Sequence, residues 1–185
     1  MIDGKFIFIH VPKNGGTAVC RALGEKSKSE THKPMFAVEK RNRFAFGFMR
    51  NPWDRMVSVY HFLCQKPIKQ NDNFNQAEVK AMGFKRWLIE SEFFLGEELK
   101  SKRTPPAIQR RPQIWWLEGC DYIGKFERLE SEVEYIASHL GIKSAPLRKV
   151  NESIHAHYRD YYDDSTRKFI AEHFSDDIER FRYVF

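Results

Sequence analysis

Apolar residues fall along this chain in two rhythms. Phe6, Ile7, Phe8, Ile9 and Val11 make a nearly unbroken apolar run over residues 5–11, which suits a strand buried on both faces of a parallel sheet. Phe44 to Met49 reads the same way, and Cys120 to Phe126 is a third, shorter strand candidate. Elsewhere the spacing is helical. Thr17 to Leu23 predicts a helix stopped by Gly24. Asn51, Pro52 and Asp54 supply the N-cap, first helical residue and first-turn acid of a second helix, striped by Met56, Val59, Tyr60 and Leu63. A helical piece surrounds Phe84, Trp87 and Leu88. Leu129, Val133, Ile136, Ala137 and Leu140 mark an amphipathic helix closed by Gly141, with Ser131 and Glu134 spaced as a capping box. A last helix is expected from Ser165 to Phe174.

Strand–loop–helix units in succession predict an α/β fold, a central and mainly parallel sheet flanked by helices. The 185 residues suffice for one sizeable core and are few for two, so a single domain over residues 1–185 is expected. Residues 65–112 break the alternation and read as an insertion.

Composition narrows the picture. Apolar residues make up 42% of the chain, including 16 phenylalanines, which argues against disorder. A net charge of +6 suggests an anionic partner without choosing among nucleotide, polyanionic sugar, nucleic acid or lipid headgroup. Cys20, Cys64 and Cys120 are far apart and form no CxxC pair, so reduced thiols are expected and neither a disulfide framework nor a metal site. No apolar run reaches the roughly 18 residues of a membrane span. The first strand begins too early for a signal peptide, and a cytoplasmic protein is expected.

The polar breaks after the first two strands carry the chemistry. Pro12-Lys13-Asn14-Gly15-Gly16-Thr17 follows the first strand, at the carboxyl edge where α/β sheets bind ligands. Two glycines let backbone N–H groups approach an anion, Lys13 adds a charge, and Thr17 adds a hydroxyl. A Walker A loop places its lysine after the last glycine; here Lys13 precedes both, and no later aspartate follows an obvious strand to hold magnesium. The alternative is a Gly-Gly turn with an exposed lysine. Arg50 ends the second strand, and Arg55 and Ser58 share a face of the helix that follows. Arg50 can grip a phosphate and Ser58 can donate a hydrogen bond. Otherwise Arg50 pairs with Asp54 and Ser58 faces solvent. A ligand with two anionic groups would explain both loops.

"FIHVPKNGGTAV" followed by "FGFMRNPWDRMVSVYHF" resembles the paired cofactor motifs of sulfotransferases that use 3′-phosphoadenosine 5′-phosphosulfate, most closely the carbohydrate-type branch. The likeness continues through "YIGKFERLESEVEYIASHLGI" and "DIERFRYVF" and so spans most of the chain. It implies a P-loop-like, three-layer α/β fold and transfer of a sulfuryl group to a hydroxyl of a carbohydrate acceptor, with no metal required. It implies that Pro12, Lys13, Asn14, Gly15, Gly16 and Thr17 hold the 5′-phosphosulfate, with Lys13 also stabilising the bridging oxygen. It implies that Arg50 and Ser58 hold the 3′-phosphate, and that a late basic loop, here Arg148 and Lys149, closes over it. The general base implied between the motifs is His32; Glu30 and Glu39 compete.

Lys100 to Trp116 carries five basic residues and no acid. It reads either as a solvated loop or as a flap suited to an anionic glycan. Trp115 and Trp116 could stack on a sugar or pack in the core, and Gln113 could contact substrate. Two other readings stay open. One is a magnesium-dependent nucleotide kinase indifferent to a 3′-phosphate; the other is a non-catalytic module that binds nucleotide or nucleic acid through its basic face.

Overall fold

A computed structural model of the chain describes residues 6–24, 33–65, 76–91, 111–148 and 155–185. The strands are β1 (Phe6–Ile9), β2 (Phe44–Met49) and β3 (Tyr122–Lys125). In chain order the helices are α1 (Gly16–Ala22), α2 (Pro52–Gln65), α3 (Gln76–Glu90), α4 (Gln113–Leu117), α5 (Leu129–His139), α6 (Asp164–His173) and α7 (Ser175–Phe181). The chain divides into two compact units, Met1–Asn51 with Gln113–Glu152, and Pro52–Pro112 with Ser153–Phe185.

The first unit is the α/β unit. Its described strands form one parallel sheet in the order β1-β2-β3. Side chains alternate across a sheet, and the register sets Phe6 beside Phe44 and Phe46 between Phe8 and Tyr122. One face is therefore a field of aromatic rings, with Phe8 and Phe46 centroids 5.3 Å apart and Phe6 and Phe46 5.6 Å apart. Val19 and Cys20 from α1 and Leu129, Val133, Ile136 and Ala137 from α5 cover that face. The opposite face buries Ile7, Ile9 and Met49. There Gly47 admits α4: a Cβ at Gly47 would stand 2.3 Å from Leu117 Cδ2 and 3.0 Å from the Ile9 carbonyl oxygen.

Two elements differ from expectation. α5 begins at Leu129, two residues before Ser131, so Ser131 already lies in the helix. Its Oγ donates to the Arg128 carbonyl, and the expected capping box does not form. The short α4 was not foreseen within the basic Lys100–Trp116 stretch.

The second unit is helical. Its core gathers Tyr60, Phe84 and Trp87, with the Tyr60 ring 5.5 Å from Phe84 and 5.4 Å from Trp87. The last expected helix is present as α6, one residue earlier at each end, and α7 follows it unforeseen. Asp163 and Thr166 make a reciprocal capping box at the start of α6, satisfying amides that the helix cannot pair itself. Trp53 donates its indole N–H to the Arg167 carbonyl at 3.1 Å and receives the Tyr162 hydroxyl on its own carbonyl at 2.8 Å.

Gly47 gives the packing its test. Gly47→Ala should lower stability by about 1–3 kcal/mol, the usual cost of forcing a methyl group into a filled space. Urea unfolding followed by far-UV circular dichroism measures it. An unchanged midpoint would mean that α4 yields freely and does not fix the sheet.

Candidate functional site

The parallel strands deliver three chain segments to one edge of the first unit. β1 leads into residues 10–15, β2 into Arg50 and Asn51, and β3 into Phe126 and Glu127. β1 pairs with β2 only as far as Ile9 and Gly47. Beyond that point the loop turns away, and a side chain takes over from the ladder: Asn14 donates its Nδ2 to the Phe48 carbonyl at 2.6 Å.

The loop is held in an unusual backbone shape. Lys13 has φ 72° and Gly15 has φ 71°. That region is open to glycine but uncommon for a side-chain-bearing residue such as lysine. Gly15 also rests on α5, since a Cβ there would come 2.7 Å from Leu129 Cδ2 and 3.1 Å from Phe126 Cε2. Gly16 is closed for a different reason. His10, at the end of β1, lies against it, and a Cβ at Gly16 would stand 1.9 Å from His10 Cδ2. His10 is buried and stacked on Phe8 at 5.8 Å, so it serves the loop's shape. α1 then starts at Gly16, and the first amides that acquire acceptors from the turn are those of Ala18 and Val19, both on the Gly15 carbonyl. The amides of Gly16 and Thr17 precede them at the end that favours anions.

Arg50 meets this loop directly. Its NH1 donates to the Lys13 carbonyl at 2.8 Å, and its guanidinium carbon lies 4.3 Å over the Phe126 ring. The backbone on either side is fixed as well. Gln113 accepts from the Arg50 amide at 3.0 Å and donates to the Arg50 carbonyl at 2.8 Å, and Glu127 accepts from the Asn51 amide at 2.6 Å. Lys13 is half-buried. Burial first, and the nearby Arg50 charge second, bring its ammonium down to about pKa 8.

The structure thus brings Lys13, Asn14, Gly15, Gly16, Thr17 and Arg50 together on one unit, with Pro12 buried in the same loop. Ser58 stands on α2 of the second unit, buried, with Arg55 fully buried on the same helix. Arg148 is exposed after α5. His32, Glu30, Lys149 and most of the basic stretch, up to Arg110, lie outside the described residues. Gln113 corrects one expectation: it is fully buried and its carboxamide is engaged by Arg50 and Asn14, so it does not face substrate. Trp116 packs in the core, fully buried, whereas Trp115 is half-buried with its ring 5.2 Å from exposed Phe36. His61 is engaged by Tyr161 at 2.8 Å and stacked on His155, both in the second unit. Among the described residues no group of three or more His, Cys, Asp and Glu gathers as a metal would require, and none of their helices is long and apolar enough to cross a membrane.

Chemically, the first unit presents two cations side by side with backbone amides between strand and helix. The lowered Lys13 value records burial of the ammonium first and its repulsion from Arg50 second, and folding carries that cost. An ordinary lysine, as in the unfolded chain, holds its proton to about pH 10.5, the folded one to about pH 8. The cost is therefore full below pH 8 and fades as pH rises between those values. An NMR titration of the Lys13 Cε resonance should show a midpoint near 8. In Arg50→Ala the midpoint should rise, yet stay below 10.5 because burial is the larger cause. A wild-type midpoint near 10.5 would place the ammonium in open solvent and dissolve the paired-cation site.

Among curated proteins, comparison finds no match to this chain. A family model described as Sulfotransferase family matches residues 3–184, nearly the whole length. The α/β unit with its parallel sheet accords with that fold, and the chain belongs to the sulfotransferase family, whose chemistry is sulfuryl transfer.

Proposed function

We propose that this sulfotransferase draws its sulfuryl group from 3′-phosphoadenosine 5′-phosphosulfate and passes it to a hydroxyl of a carbohydrate. One observation carries the donor assignment. Arg50 NH1 donates to the Lys13 carbonyl at 2.8 Å, which sets two cationic residues side by side in a loop whose backbone is bent to αL at two positions. Such an arrangement costs stability by itself and is relieved by an anion of more than one charge.

The nucleotide supplies, when bound, a sulfuryl group already activated on a leaving phosphate. The chain's own residues do the rest. Protonated Lys13 and the amides at the start of α1 offset negative charge that builds on the leaving oxygens. Holding that charge needs no reorganisation, because the loop is fixed beforehand by His10, Phe126 and Arg50. Arg50 holds the 3′-phosphate, and the motif likeness assigns the same phosphate to Ser58, Arg148 and Lys149. His32 accepts the proton of the attacking hydroxyl. The carbohydrate acceptor follows from the motif likeness to the carbohydrate-type branch and from the basic residues between Lys100 and Arg111. An acidic glycan suits them best.

Isothermal calorimetry tests the donor. 3′-Phosphoadenosine 5′-phosphate should bind at least about tenfold more tightly than 5′-AMP, since a charge-assisted bidentate contact to a phosphate is commonly worth more than 1.4 kcal/mol. Arg50→Ala should remove that preference. Equal affinities in the wild-type protein would refute the donor assignment. The base has its own test. His32→Ala should abolish transfer to a hydroxyl acceptor while bisphosphate affinity persists, and full activity in that variant would give the proton to another group.

A further inference from the structure

Gln113 opens α4 with its side chain fully removed from solvent. A buried carboxamide is costly unless it is paired, and this one is paired twice to the same backbone. Its Oε1 accepts from the Arg50 amide at 3.0 Å, and its Nε2 donates to the Arg50 carbonyl at 2.8 Å. Arg50 is the first residue beyond β2, where no further strand pair is available to it in the described sheet. Gln113 occupies that place and continues the ladder by one step with a side chain.

The same Oε1 also accepts from Asn14 Nδ2 at 2.7 Å, and Asn14 in turn donates to the Phe48 carbonyl at 2.6 Å. Asn14 lies next to Lys13 in the loop and is buried. One carboxamide thus touches both the strand tip that carries Arg50 and the loop that carries Lys13. Nothing in this pairing calls for glutamine as filler. The apolar requirement of α4 is met by Trp116 and Leu117, and a methionine would fill the Gln113 volume without its bonds.

We propose that Gln113 is a positioning residue for the donor nucleotide: it locks Arg50 and the Lys13 loop into one spacing, so that both charged ends of the ligand are met at once. The inference rests on the bisphosphate reading above. It assigns Gln113 no contact with ligand. The side chain acts through Arg50 and Asn14, and its loss lets two mutually repelling cations drift apart.

The experiment compares affinity for 3′-phosphoadenosine 5′-phosphate with affinity for 5′-AMP, and takes the ratio as the measure of how well the 3′-end is gripped. Gln113→Met should lower the ratio by about tenfold, towards the value of Arg50→Ala, because a guanidinium that is no longer placed no longer grips the 3′-phosphate. In an Arg50→Ala background the same substitution should leave the ratio unchanged, because no guanidinium remains to be placed. Gln113→Glu supplies a second arm that does not depend on the methionine variant folding. A carboxylate sets lone pairs against the Arg50 carbonyl, whereas the protonated acid can donate there as the carboxamide does. Its ratio, normalised to wild type at each pH, should therefore recover as pH falls from 8 to 5.5. Wild-type selectivity retained in Gln113→Met, or a flat normalised profile for Gln113→Glu, would overturn the role of Gln113 alone. Wild-type protein that does not prefer the bisphosphate would overturn the donor reading, and this role with it.

Discussion

Two positive charges at neighbouring strand tips repel, and much of the first unit is organised to keep them together. Arg50 is tied to the loop by its bond to the Lys13 carbonyl and is backed by the Phe126 ring. Its backbone is gripped by Gln113 on one side, and the next amide by Glu127 on the other. Lys13 sits in a left-handed backbone conformation that a lysine seldom adopts. The backbone at Lys13 is a local expense that packing alone would not select, and the contacts to Arg50 offset it together with the repulsion. Their common effect is a fixed patch of positive potential on a loop whose amides add to it, an arrangement suited to electrostatic stabilisation of charge that develops during group transfer.

The sheet beneath makes that arrangement possible. A parallel sheet buried on both faces needs continuous apolar strands, and phenylalanines fill one face while Gly47 opens the other to Leu117. The aromatic field does not stop at the strand ends. Phe8 carries the His10 ring, and His10 fills the place where Gly16 has no side chain. The loop is thereby built on the core, and its shape is set before any ligand arrives. Preorganisation of this kind is what separates a binding loop from a chain reversal of similar composition.

The features legible in the sequence were those that repeat or punctuate. The runs Phe6–Ile9 and Phe44–Met49 announced buried strands, and the Asn51-Pro52 step announced the start of α2. Lys13, Gly15 and Arg50 could be singled out because they interrupt apolar patterns at predictable places. The features that escaped were those set by tertiary contact. α4 has five residues, too few for a helical period to show, and it sits in a stretch whose charge suggested a loop. Gln113 is a polar residue with no local pattern; its importance comes from Arg50, 63 residues away in sequence. The Ser131–Glu134 spacing matched a capping box, but the helix had already begun at Leu129, so the serine found a carbonyl rather than an amide. A spacing motif fixes which groups could meet, and the helix start decides whether they do.

The position of the lysine has a physical consequence for the chemistry. In a Walker A loop the lysine follows the last glycine and leaves from the first turn of the helix. In this chain Lys13 precedes both glycines and leaves from the strand-side limb, where its own carbonyl is held by Arg50. Lys13 and the helix-start amides therefore stand on opposite limbs of the same loop. Positive charge thus comes from both limbs without a lysine in the helix, and the arginine of the next strand remains for a second anionic group. A site so arranged concentrates fixed positive charge around the bridging region of an anionic ligand. That is where negative charge accumulates when a sulfuryl group departs, and fixed protein charges can meet that demand directly.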